Sequence, residues 1–69
     1  MPVSMAEPMV TFTIKRITGD DKTRMHLKNL GFIEGEPVMV VNKVDDNVIL
    51  KIKGVSLAIT NELAKRIFV

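Results

Sequence analysis

The chain has 69 residues, 46% hydrophobic, with ten Lys and Arg against eight Asp and Glu, no cysteine, no tryptophan and no tyrosine. That length allows one small domain, and the absence of cysteine excludes disulfides and thiolate metal sites. A formal charge of +2 is ordinary for solubility and well short of a nucleic-acid footprint.

No apolar run has the length of a membrane span, so direct membrane insertion is not expected. Residues 1–8, Met-Pro-Val-Ser-Met-Ala-Glu-Pro, have neither a charged n-region nor an apolar h-region and read as a loose leader rather than a signal peptide. Residues 9–69 then form the single domain.

Met9 to Ile17 reads as a strand, with Val10, Phe12 and Ile14 alternating against Thr11, Thr13 and Lys15. Thr18, Gly19, Asp20 and Asp21 supply cap-type residues and two carboxylates at a helix start, where free backbone N–H groups and the helix dipole favour them. The helix that follows is two to three turns long. Thr23, Leu27 and Leu30 fall on its inner stripe, Met25 points outward, and His26 lies at the stripe's edge. Gly31 takes the place where a residue of positive φ closes a helix, and Phe32 and Ile33 follow as the chain turns back to bury them.

Pro37 opens a strand running to Val41, and Asp45, Asp46 and Asn47 form the hairpin turn into the return strand Val48 to Lys53. There Val48, Leu50 and Ile52 face inward, with Lys51 and Lys53 outward. Gly54 breaks the strand, Val55 to Ile59 alternates again, Thr60 caps a single turn, and Arg66 to Val69 closes as a last short strand. About five short strands with connections too short for parallel crossovers give a mainly β chain. The expected fold is a small SH3-like antiparallel barrel with one short α-helix after the first strand.

No nucleophile, base and orienting group stand together, and there is no Gly-x-x-x-x-Gly-Lys-Ser/Thr loop, so an enzyme is not expected. His26 is the only histidine and has no soft ligand near it in the sequence, so no metal site and no cofactor is expected. Lys51 and Lys53, with Lys15 and Arg16, could form a positive strip. Yet Phe12, Phe32 and Phe68 all take core positions, leaving no stacking platform for bases. Nucleic acid is therefore not the expected partner.

Arg24, Leu27, Leu30, Gly31, Phe32, Ile33 and Gly35 resemble the R-x-x-L-x-x-L-G-hydrophobic-hydrophobic-P-G segment of the ferrous iron transport protein A (FeoA) family. Gly54 to Ile59, followed by Leu63, Ala64 and Ile67 to Val69, is similar to that family's C-terminal pattern. The two blocks cover most of residues 10–69 in the right order. Glu34 stands where the family usually has proline, Thr60 where an arginine is common, and the hairpin from Lys43 to Asn47 is shorter than the usual Pro-x-Gly-Asp-Pro loop.

The resemblance implies a cytoplasmic accessory or regulatory protein of ferrous iron uptake, an interaction module for the cytoplasmic part of a membrane iron-transporting GTPase. The same domain type also occurs in iron-dependent repressors. No helix-turn-helix segment precedes it in this sequence, which favours the transport role. The alternative is a small nucleic-acid-binding or metal-responsive regulatory SH3-like barrel. The residues expected to meet a partner are Arg24, Met25, His26, Lys28 and Asn29 on the helix and Asp45 and Asp46 at the hairpin.

Overall fold

A computed structural model describes all of residues 1–69. Its elements are a 3₁₀ turn at Val3–Met5, then β1 (Thr11–Thr13), β2 (Arg16–Ile17), α1 (Asp21–Asn29), β3 (Pro37–Val44), β4 (Asn47–Ile52), β5 (Val55–Thr60), α2 (Asn61–Ala64) and β6 (Ile67–Phe68). They form a four-stranded antiparallel sheet in the order β1-β3-β4-β5 and a two-stranded antiparallel sheet of β2 and β6. The mainly β, SH3-like architecture with a helix after the opening strand is as expected, with six strands where about five are counted from the sequence alone.

The expected strand from Met9 to Ile17 is divided between the two sheets. Phe12 pairs with Val38 and Thr13 with Pro37, and the Ile14 N–H still donates to Glu36 O at 3.0 Å. One residue later the Lys15 N–H donates to Phe68 O at 2.7 Å, and Arg16 and Ile17 pair with Phe68 and Ile67. Ile14, with its side chain fully buried, is thus the corner at which the chain passes from one sheet to the other. Val10 lies before this corner and is exposed rather than inward, because Met9 at φ 67° turns the chain into β1.

The two hairpins follow their turn chemistry. Val44 pairs with Asn47 across the two-residue turn Asp45–Asp46, with Asp45 at φ 54°. Ile52 pairs with Val55 across Lys53–Gly54, both at positive φ as a tight right-twisted hairpin demands. A register shift between Val40 and Asn42 ends the buried run of β3, since Val38 and Val40 are buried while Asn42, Lys43 and Val44 are exposed.

Fourteen residues are buried, all of them apolar, and among the largest are Phe32, Ile14, Leu27, Leu50 and Ile67. Two members, Val3 and Ala6, come from the segment read as a loose leader. That reading does not survive the tertiary structure. The Val69 N–H donates to Met1 O at 2.8 Å, Pro2 bridges to Phe68, and Lys43 Nζ donates to Ser4 O at 2.7 Å. The N-terminal segment therefore meets β6 and its end through Met1 and Pro2, and it adds the side chains of Val3 and Ala6 to the core.

Candidate functional site

The site grows out of the way α1 begins and ends. Asp20 is its N-cap: the side chain accepts from the Thr23 N–H at 2.8 Å, and this hydrogen bond, helped by the Arg66 and Arg24 charges, holds the carboxyl below its ordinary pKa. Asp21 in the first turn pairs with Arg24 one turn on. At the far end the Gly31 N–H donates to Lys28 O at 2.9 Å and the Phe32 N–H to Leu27 O at 3.0 Å. Those two bonds make a Schellman close, and Gly31 at φ +104° supplies the backbone conformation that the close requires.

The close has a directional consequence. It drives Phe32 under the helix, where it is fully buried with Leu27, and leaves Ile33 and Glu34 to run back along the outside. Ile33, expected to be buried beside Phe32, is 37% exposed. Neighbouring residues in an extended segment point to opposite sides, so only one of the pair can enter the core.

Between α1 and this returning segment lies an open groove of about 600 Å³. Met25 and Ile33 rise on its two walls, with Ile17 of β2 and Phe32 completing its apolar lining. Asp21, Arg24 and Lys28 line the α1 side and Glu34 the opposite one. Met25, at 57% exposure, is the most exposed apolar side chain of the helix. Arg24 is engaged by Asp21, whereas Lys28 and Glu34 form no ion pair.

Three of the seven residues expected to meet a partner, Arg24, Met25 and Lys28, come together in this groove. His26 and Asn29 are exposed outside it, and Asp45 and Asp46 stand at the β3–β4 tip, where the Asp46 carbonyl accepts from the Asn61 N–H at 2.8 Å. Helical spacing alone separates Met25 from Leu27, but Ile17, Ile33 and Glu34 reach the groove only through the fold. The one local signal for Ile33 was its place directly after Phe32.

The cations that could have formed a positive strip are divided between the two sheets and a turn. Arg16 sits over the Phe68 ring, 4.3 Å from its centroid, on the small sheet. Lys53, in the turn between β4 and β5, reaches Glu36 at 3.7 Å. No three His, Asp or Glu side chains are grouped to hold a metal ion, and no helix is long and apolar enough to cross a membrane.

Comparison with known proteins agrees with this architecture. The chain superposes on the crystal structure of an iron uptake regulatory protein, FeoA, with a TM-score of 0.88 and 26% identity, over 97% of this chain and 91% of that one. It superposes on iron(II) transport protein A from Clostridium thermocellum with a TM-score of 0.89 and 25% identity, over 99% of this chain and 43% of that longer one. FeoA of Stenotrophomonas maltophilia, a prokaryotic SH3 domain protein solved with zinc, shares the fold at a TM-score of 0.85 and 22% identity, over 99% of this chain and 87% of that one. No curated protein matches at the level of sequence. The model of the FeoA domain matches residues 1–69, the whole of the chain, which therefore belongs to the FeoA domain family.

Proposed function

We propose that this chain is a cytoplasmic accessory protein of ferrous iron uptake that docks on the cytoplasmic part of the membrane GTPase carrying the iron. Membership of a family linked to ferrous iron transport supports the accessory role. The S. maltophilia relative has itself been put forward as a ferrous iron transport activating factor. The observation that carries the docking role is the groove beside α1, where the exposed Met25 and Ile33 come together with Ile17 and Phe32 in one apolar lining that charged side chains border. A methionine in such a place is an adaptable apolar contact, and the charges around it set orientation.

The test is a binding titration against the cytoplasmic GTPase portion from the same genome, without nucleotide, with GDP and with a GTP analogue, following hydrolysis in parallel. Met25→Glu is expected to weaken binding at least about tenfold, the equivalent of about 1.4 kcal/mol, while leaving the melting curve near that of the unaltered chain. Binding indifferent to Met25→Glu and to Ile33→Glu would remove the groove from the interface. Absence of binding in every nucleotide state would overturn the assignment of the partner.

A further inference from the structure

Resting on that reading of the groove, we infer that its occupant is an amphipathic helix with one acidic and one basic flank beside its apolar stripe. The groove follows α1 from Asp21 to Lys28, about 10 Å at 1.5 Å per residue, which is the length of two turns of a docked helix. The backbone groups of α1 are spent on hydrogen bonds along the helix itself, so this wall offers side chains and no row of N–H and C=O groups to which a strand could add.

Charge decides the rest. Asp21 and Arg24 neutralise each other, which leaves Lys28 as the uncompensated charge on the α1 wall. Glu34 is the uncompensated charge on the wall opposite. The groove is therefore polar across its width, positive on one side and negative on the other, around an apolar lining of Ile17, Met25, Phe32 and Ile33. A helix with flanks of opposite sign satisfies both walls. A helix with two acidic or two basic flanks meets one wall with its own sign. Because a bipolar helix can satisfy the walls in one running direction only, the same two residues also fix the direction in which it lies.

The inference is tested with three synthetic helical peptides that share one leucine stripe and carry bipolar, all-acidic or all-basic flanks. Their binding to the full chain is followed by amide chemical-shift changes. The bipolar peptide is expected to bind tightest, by about two- to fivefold over each of the others, one exposed ion pair being the difference. Lys28→Glu should move the preference to the all-basic peptide and Glu34→Lys to the all-acidic one. The double variant Lys28→Glu/Glu34→Lys, which keeps the net charge, should restore preference for the bipolar peptide. Thermal melts confirm that each variant folds, and Lys28→Gln provides a milder probe should Lys28→Glu lower helix stability.

A ranking that simply follows net charge, or shift changes that bypass Met25 and Ile33, would overturn the inference. If the peptides obey the charge rule and the GTPase does not bind, the inference holds and the proposed partner falls. If the GTPase binds through Met25 while the peptides and both charge reversals are without effect, the partner holds and the bipolar helix falls.

Discussion

The backbone N–H of Phe32 donates to the carbonyl of Leu27 at 3.0 Å, and both side chains are buried completely. A single five-residue step thus joins the end of α1 to the core and sends Ile33 outward to the groove. Stability and the docking surface share this one turn.

Leu27 is the helix residue that the core holds most firmly. Leu27→Ala should cost about 2–5 kcal/mol. Leu30 is only half-buried, so Leu30→Ala should cost less than Leu27→Ala, and Met25→Ala less than about 1 kcal/mol at an exposed site. Urea unfolding of the three variants gives the order directly. Equal losses would mean that α1 presents a different face to the core.

Gly31 has open space where a Cβ would lie, so a substitution there meets no neighbour. The cost comes from the backbone alone, at φ +104°. Gly31→Ala should therefore destabilise by about 1–3 kcal/mol, and repacking mutations around it should not rescue the loss. Denaturant midpoints of Gly31→Ala with and without a neighbouring large-to-small change measure this.

Val3 tests the role of the N-terminal segment. Its side chain is buried as completely as Leu27, in one cluster with Ala64 and Ile67. Val3→Ala should cost about 1–3 kcal/mol, from two lost methyl groups and the space they leave. A loose leader would give no change in the urea midpoint.

Asp20 gives the pH dependence. Its carboxyl is held below the ordinary value by the hydrogen bond from Thr23. A lowered folded-state pKa means stabilisation that is complete above the unfolded carboxylate range, near about pH 4, and lost as pH falls through the folded value. Asp20→Asn keeps an N-cap acceptor that does not titrate. The melting temperature of the unaltered chain should fall more steeply between about pH 5 and pH 3 than that of Asp20→Asn. Parallel slopes would dissociate the cap from the acid response.

Much of this molecule is written in short-range pattern. Asp20, Thr60 and Gly31 act as caps within a few residues of themselves. Val48, Leu50 and Ile52 face inward on a two-residue period, and Asp45–Asp46 closes its hairpin. Each of these depends on backbone geometry and on the nearest neighbours, which the sequence states outright. The same period placed Val10 inward and residues 9–17 in one strand, and there it fails. Alternation reports which way side chains point, not which strand receives the backbone hydrogen bonds. Only the packed molecule passes Ile14 from β3 to β6, draws Val3 into the core against α2 and β6, and turns Ile33 to face Met25 across a groove. Those relationships join residues far apart in the chain, and their outcome is set by which surfaces cover one another.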